Sequence, residues 1–216
     1  MEKTAALDRN QSLGEEIANS ISHGVGFGGA VVITPFLVLA AIPSGAASIV
    51  GASIFGFTMM LLYLSSTLYH AFPHSKTKRV FNVFDHASIF LLIAGTYTPF
   101  TLSVLKGAWG WTLFGIIWAL AILGVVFKSV GGAHSGKLST ALYVGMGWIA
   151  VIAVKPLWNA LPAAGLLWLA MGGVMYTAGV LFFVYDHRIR FSHFIWHLFV
   201  LAGTACHVVA IMGYAY

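Results

Sequence analysis

Residues 109–127 read WGWTLFGIIWALAILGVVF, nineteen consecutive residues without an ionisable side chain. A bilayer core about 30 Å thick needs about 20 such residues in a helix, so this stretch predicts a membrane-crossing helix. The whole chain has the same character, since 59% of its 216 residues are apolar and 8% are charged. A soluble domain has about 45–50% apolar and about 25% charged residues. The composition therefore excludes a soluble globular protein and predicts an integral membrane protein.

Six further uncharged or nearly uncharged stretches have a similar length. Together they predict seven membrane spans, at Ile17–Ala41, Ser48–Ala71, Phe84–Val104, Trp109–Phe127, Leu138–Val154, Gly165–Tyr185 and His193–Tyr214. The apolar residues run continuously instead of alternating with a period of two, which favours helices over a membrane barrel. The spans use about 150 residues and leave no room for a separate soluble domain. We therefore expect an all-α protein in which residues 1–216 form a single seven-helix transmembrane domain.

The Lys and Arg residues divide unequally between the two sides of this arrangement. Nine fall on the side of the N-terminus (Lys3, Arg9, Lys76, Lys78, Arg79, Lys128, Lys137, Arg188, Arg190) and two on the opposite side (Lys106, Lys155). Because Lys and Arg are enriched in cytoplasmic loops, the N-terminus is predicted in the cytoplasm and the C-terminus outside. The net charge of +5 comes from scattered residues and not from a basic run. We therefore expect membrane lipids as partners and no nucleic acid.

Several polar side chains occur inside the predicted spans, where ionisable groups are costly and usually functional. They are His23 in the first span, Ser66 and His70 at the end of the second, Asp85 and His86 at the start of the third, and His193 and His197 at the start of the seventh. The predicted topology places all of them near the cytoplasmic face. Residues that are distant in the sequence are thus expected in one layer of the membrane.

The spacing His193-x-x-x-His197 places two imidazoles one turn apart on the same helical face, from which they can bind one metal ion. His70 would supply a third nitrogen and leave the fourth position of a zinc ion open for water, as in catalytic sites. Asp85 could orient a ligand histidine or the water, or act as a general base, and Ser66 could form a hydrogen bond beside it. The alternative is that these histidines are interfacial residues bonded to neighbouring helices or headgroups.

The other histidines are assigned away from this site. His86 is rotated about 100° from Asp85 on the helix, and His23 has no partner at helical spacing, so both favour a structural role. His207 lies about 21 Å along the helix from His193 and is expected in the outer half of the membrane. His74, His134 and His187 fall in polar loops and are expected to be solvated. Cys206 is the only cysteine, which excludes a disulfide framework and a cysteine-based zinc site.

These motifs together resemble the hemolysin III family of bacterial membrane proteins, within the wider group of the progestin and adipoQ receptors. The similarity extends over nearly the whole chain and rests on Glu16-Ile-Ala-Asn19-Ser-Ile-Ser-His23-Gly24, Ser66-Thr-Leu-Tyr-His70, Phe84-Asp85-His86, Ala94-Gly95-Thr96-Tyr97-Thr98-Pro99 and His193-Phe-Ile-Trp-His197. The resemblance implies seven helices, a cytoplasmic N-terminus and a zinc ion held by His70, His193 and His197. Ser66 and Asp85 match the serine and aspartate that accompany this site in the family.

Related eukaryotic proteins resemble alkaline ceramidases in this site, which suggests hydrolysis of a lipid amide. Our leading hypothesis is a zinc-dependent hydrolase of a lipid amide or ester in the bacterial inner membrane, with Asp85 handling protons. The rival hypothesis is a non-enzymatic sensor or regulator in which zinc only clamps the second and seventh spans together. Two further classes are disfavoured. The spans lack the polar groups along their depth that a cytolytic pore needs, and the chain lacks the internal repeats of many transporters.

Overall fold

A computed structural model describes residues 11–73, 76–131 and 136–216. Its helices are α1 (Leu13–Ala41), α2 (Ala46–Ala71), α3 (Lys76–Pro99), α4 (Gly107–Gly131), α5 (Gly136–Trp148), α6 (Val154–Ala160), α7 (Ala163–Val184) and α8 (Ser192–Tyr214). Short 3-10 turns at Ile42–Ser44 and Ile149–Ala153 and a π-helical turn at Phe100–Val104 extend or join them. Among the described residues there is no β-strand.

Seven helical segments of the described chain are long and apolar enough to cross a membrane. This confirms the predicted all-α fold with seven spans. Lys3 and Arg9 lie outside the described residues, as do His74 and His134, and the Lys137 side chain is not described. The predicted orientation of the termini stays a prediction.

Two spans extend at one end by six or more residues beyond their predicted bounds. The third was expected from Phe84, but α3 begins at Lys76, two turns earlier. A contact with α1 stabilises the added turns, since the Lys78 ammonium lies 2.8 Å from the Glu16 carboxylate. The fifth span was expected to end at Val154, but it continues through the 3-10 turn into α6 and ends at Ala160. Pro156 is tolerated there because the first turn of a helix does not need its missing amide hydrogen.

The centre of the bundle is formed by α2, α3 and α8. Two thirds of the apolar segment of α3 (67%) is buried inside the protein, compared with 11% of that of α7. Helix α1 packs against α2 and α8, α4 packs against α3, and α7 packs against α8. The exposed faces of the outer helices carry large apolar side chains such as Val25, Leu123 and Leu181. Such faces are suited to contact with lipid, which is as apolar as a leucine side chain.

One end of the bundle gathers the polar groups of four helices, and we call it the site end. Here the Ser20 hydroxyl of α1 donates to the Thr67 carbonyl of α2 at 3.1 Å. The Ser22 hydroxyl of α1 lies 3.0 Å from His197 Nδ1 of α8. The start of α1, the end of α2 and the start of α8 therefore meet, and the Lys78 contact with Glu16 adds the start of α3.

The connection from α7 to α8 is tied to α1 at this end. Phe191 precedes α8 with a φ of 58°, in the left-handed region that bulky residues rarely adopt. Its backbone amide donates to Glu15 Oε1 of α1 at 2.8 Å. The other oxygen of Glu15 accepts from the amide and hydroxyl of Ser12, which caps α1. The Glu15 carboxylate therefore fixes both the start of α1 and the strained residue before α8.

The contact between α3 and α4 requires a small residue at position 124. A Cβ atom on Gly124 would lie 2.4 Å from the ring of Phe90, which is fully buried. Gly115, two and a half turns earlier on the same helix, has no atom within 4 Å of an added Cβ. Glycine is therefore needed for packing at one of these positions and not at the other.

We expect Gly124→Val to destabilise the protein by about 1–3 kcal/mol, because overpacking pushes α4 away from Phe90. The melting temperature of the purified protein in detergent measures this effect. Gly115→Val is the matched control, since it makes the same change of helix propensity on α4 without a clash. Equal melting temperatures for the two variants would contradict the packing argument.

Candidate metal centre

The three histidines predicted as metal ligands lie together at the site end. His70 is in the last turn of α2, and His193 and His197 are in the first two turns of α8. One nitrogen from each ring lies within 4.8 Å of the others. All three side chains are buried, and the pairs of ring centroids are 4.8 to 5.2 Å apart. Two distant parts of the chain thus converge on one point, as the sequence predicted.

The Nδ1 atom of each of these rings forms a hydrogen bond with a group outside the three histidines. His70 Nδ1 lies 2.8 Å from Glu16 Oε2, and His193 Nδ1 lies 2.9 Å from Asp186 Oδ2. His197 Nδ1 lies 3.2 Å from the Asn19 carbonyl oxygen and 3.0 Å from the Ser22 hydroxyl. A carboxylate or carbonyl oxygen only accepts hydrogen bonds, so the proton of each neutral ring is on Nδ1. The Nε2 atom of each ring is left with its lone pair.

The residues present fit a zinc ion. His70 Nε2 is buried and has no hydrogen-bond partner among the described residues, an unusual state for a polar atom that a metal ion would resolve. Three neutral imidazole nitrogens are a donor set that zinc prefers. Hydrogen bonds from the second ring nitrogen to a carboxylate or carbonyl are also usual for histidines that bind metals. His70, His193 and His197 could therefore hold one zinc ion through Nε2.

Sequence reasoning missed the partners of the ligands. It named Glu16 and Asn19 only as part of a family motif and did not single out Asp186. Glu16 and Asn19 could have been found from the sequence. Together with Ser22 and His23 they recur on one face of a largely apolar helix. For Asp186 there is no such signal, since the carboxylate lies in a loop and meets His193 only in the folded protein.

His23 was expected to have a structural role, and the structure places it against His197, one of the three candidate ligands. Its ring stacks on that of His197 with the centroids 3.5 Å apart and the planes 5° from parallel. Its other face meets the edge of Tyr63 at 5.1 Å. Both His23 nitrogens are buried, and neither has a hydrogen-bond partner in the described structure. The ring therefore packs against His197 and limits its rotation.

Within the described part of the chain, Asp85 forms no hydrogen bond to any of the three rings, whose Nδ1 atoms meet Glu16, Asp186, and Asn19 with Ser22. The Asp85 side chain borders a cavity that opens at the surface of the bundle, and Oδ2 lies 3.8 Å from His86 Nδ1. The carboxylate is therefore available to a molecule in the cavity. The roles expected for Asp85, orienting a ligand histidine or the water and acting as a general base, stay predictions.

Ser66 lies one turn before His70 on α2 and is completely buried. Its hydroxyl has no hydrogen-bond partner in the described part of the chain. A buried hydroxyl without a partner is costly, so a ligand or water in the site would stabilise it.

Lys128 was counted among the cytoplasmic charges, but it is only 2% exposed in the last turns of α4. It interacts electrostatically with Asp85 on the neighbouring helix. His86 also borders the cavity, and its Nδ1 donates to the Asn82 carbonyl oxygen at 2.8 Å. His86 thus lies beside Asp85, and Lys128 is a buried cation on the neighbouring helix.

Two further histidines, His207 and His187, lie outside the group of three. His207 is not part of the group, in agreement with its predicted distance, and its Nε2 lies 3.3 Å from the Leu169 carbonyl oxygen of α7. It does border the same cavity, which the sequence did not indicate. His187 is partly buried and accepts a hydrogen bond from Arg188 Nε at 3.1 Å.

The cavity has a volume of about 360 Å³ and extends from the histidines toward the other end of the bundle. Asp85, His193 and His197 border it at the site end, and Leu105 and Trp158 border it at the far end. Most of its lining is apolar. The space therefore suits an elongated apolar molecule whose polar group lies beside the histidines.

The fold and site define a class of protein: a seven-helix membrane protein with three buried histidines at one end and an apolar cavity beside them. The family model described as haemolysin-III related matches residues 11–208. The chain therefore belongs to this family, which confirms the resemblance seen in its motifs.

Individual relatives agree with this assignment. The chain is 47% identical over 201 residues to a hemolysin-3 homolog of Bacillus subtilis, covering 93% of this chain and 94% of that protein. It is 43% identical over 208 residues to hemolysin-3 of Bacillus cereus, covering 94% and 93%. A more distant relative is the human monocyte to macrophage differentiation factor, 31% identical over 170 residues, covering 76% and 70%.

Proposed function

We propose that this protein is a zinc-dependent hydrolase that cleaves a lipid amide or ester within the membrane. The observation that carries the proposal is the arrangement of His70, His193 and His197. Each ring forms a hydrogen bond through Nδ1, and His193 and His197 border an apolar cavity. Three neutral ligands leave a fourth position for water or substrate, whereas structural zinc sites are usually closed by four protein ligands.

A bound zinc ion supplies a Lewis acid, which polarises a carbonyl oxygen and makes water a better nucleophile at neutral pH. The residues of the chain supply the rest of the chemistry. Asp85 accepts a proton from the attacking water and returns it to the leaving amine or alcohol. Ser66 donates a hydrogen bond at the reacting group, which gives its buried hydroxyl a partner. The apolar cavity holds the hydrocarbon chain and excludes bulk water.

The proposal places the protein in the bacterial inner membrane as a multi-pass protein with a cytoplasmic N-terminus. The support is the excess of Lys and Arg on the side of the N-terminus. The exposed Arg188 and Arg190, between α7 and α8, belong to that side. The catalytic end of the bundle would then face the cytoplasmic leaflet, so the substrate would be reached from that leaflet.

A second candidate function is a sensor or regulator in which the metal has only a structural role. The observation that favours it is that the histidines come from α2 and α8, so one ion would clamp two central helices. The two candidates differ at Asp85, which supports no ligand histidine. Its replacement would be nearly silent in a clamp and severe in an enzyme.

The metal is tested first. Protein purified in detergent without a histidine tag is expected to contain about one zinc ion per chain, measured by mass spectrometry. His193→Ala/His197→Ala should lose it because two of three ligands are removed. Gly115→Val, whose added side chain meets no neighbour, is the folded control that should keep its zinc. A folded wild-type protein without metal would contradict both candidate functions.

Asp85→Asn is expected to lower turnover about 100-fold or more, because an amide cannot accept the proton, while the zinc content stays near that of the wild type. Hydrolysis is followed on a panel of lipid amides and esters in mixed micelles. Ser129→Ala, at an exposed position of α4, is the matched control that should keep full activity. Undiminished turnover in Asp85→Asn would remove Asp85 from the mechanism, and no turnover by zinc-loaded wild type would favour the clamp.

The orientation is tested with single cysteines in a Cys206→Ala background. Ser44, between α1 and α2, and Arg188, between α7 and α8, are both exposed and lie at opposite ends of the bundle. A membrane-impermeant thiol reagent is expected to label Ser44→Cys in intact bacteria and Arg188→Cys only after lysis. The reverse pattern would contradict the proposed topology.

A further inference from the structure

Helix α1 contributes no histidine to the trio, yet its inner face contacts two of the three ligands. Glu16 Oε2 binds His70 Nδ1 at 2.8 Å. One turn later, the Asn19 carbonyl oxygen binds His197 Nδ1, and one turn after that the Ser22 hydroxyl binds the same atom. The start of this helix therefore forms a support for ligands that belong to α2 and α8.

The Glu16 carboxylate has a fixed position inside the protein. Its Oε1 atom lies 2.8 Å from the Lys78 ammonium, which leaves Oε2 for His70. Lys78 is itself held, because its ammonium donates to the Phe72 carbonyl oxygen at 3.3 Å and lies 4.8 Å from the centre of the Tyr69 ring. An acceptor clamped in this way defines both the rotation of the His70 ring and the nitrogen that carries its proton.

The third ligand has an equivalent support from another part of the chain. Asp186, in the connection between α7 and α8, binds His193 Nδ1 at 2.9 Å. This connection is held at its end by the Phe191 amide, which donates to Glu15, and by the Ser192 hydroxyl, which donates to the Phe182 carbonyl oxygen at 2.8 Å. The carboxylate is therefore presented by a loop whose end is held against both α1 and α7.

We propose that Glu16 and Asp186 are positioning residues of the metal centre, each accepting the Nδ1 proton of one ligand so that His70 and His193 offer Nε2 to the ion. This inference rests on the proposed zinc site and adds residues that act through the ligands. Without its carboxylate, each imidazole can rotate or take the other tautomer, in which Nε2 carries the proton and cannot bind. Hydrogen bonds of this kind change metal affinity by about 10 to 100-fold.

The experiment measures the dissociation constant of zinc for the full chain in detergent, by competition with a chromophoric chelator. Glu16→Ala and Asp186→Ala are each expected to raise this constant about 10 to 100-fold. Glu16→Gln and Asp186→Asn should fall between these variants and the wild type, because an amide oxygen still accepts a hydrogen bond but carries no charge. Partial recovery of zinc affinity in the amide variants would show that the hydrogen bond to the histidine matters, and not only the packing of the side chain.

Gly124→Val is the control for general destabilisation. Its added side chain clashes with Phe90 between α3 and α4, away from the histidines and from the residues that hold them. We expect Gly124→Val to lower the melting temperature of the zinc-free protein while zinc affinity stays within about twofold of the wild type, far below the change for a residue that holds a ligand. If it weakened zinc binding as much as Glu16→Ala, general destabilisation would explain the results and the proposal would be overturned.

Unchanged zinc affinity in folded Glu16→Ala and Asp186→Ala would also overturn the proposal and leave the zinc site intact. If Glu16→Ala does not fold, because Lys78 loses its partner, the Asp186 variants in the loop decide the outcome in the same way. A wild-type protein that binds no zinc is a different result. It would reject the metal centre itself, and the positioning roles would fall with it.

Discussion

Lipid offers no hydrogen bond to a backbone amide or carbonyl, and this constraint governs the whole molecule. Each span must satisfy its backbone internally, so the chain forms helices wherever it is apolar. The same constraint applies to side chains, since polar groups that leave water must find partners inside the protein. Most of the buried polar groups are therefore concentrated at one end of the bundle, where α1, α2, α3 and α8 can supply partners for each other.

The site end is a set of linked contacts and not only a cluster of histidines. Lys78 binds Glu16, Glu16 binds His70, and His70 faces His193 and His197. Carboxylates accept from the Nδ1 atoms of His70 and His193, and the Asn19 carbonyl and Ser22 hydroxyl lie at Nδ1 of His197. The Nε2 atom of His70 is buried and has no hydrogen-bond partner among the described residues. This difference between the two nitrogens of the ring is the physical basis for proposing a metal there. The apolar cavity beside it gives that chemistry a class of substrate.

The number and approximate positions of the helices could be predicted because hydropathy is a local property of the chain. The four-residue spacing of His193 and His197 also belongs to one helix, and their convergence with His70 followed from the common depth of the three residues. Boundaries were less accurate where the cause was tertiary. Helix α3 extends back to Lys76 because of a contact with α1, and Lys128, which was assigned to a loop by its charge, is buried near Asp85.

By itself, the sequence determined that this protein is a seven-helix membrane protein of the haemolysin-III related family with histidines at one level. Only the tertiary structure decided which nitrogen of each histidine forms a hydrogen bond with a neighbouring residue. Glu16 and His70 are 54 residues apart, and Ser22 and His197 are 175 apart. No local pattern specifies such pairs, because they depend on how α1 is rotated and packed against α2 and α8. The same packing creates the cavity and decides that Asp85 borders it while Glu16 and Asp186 hold the rings.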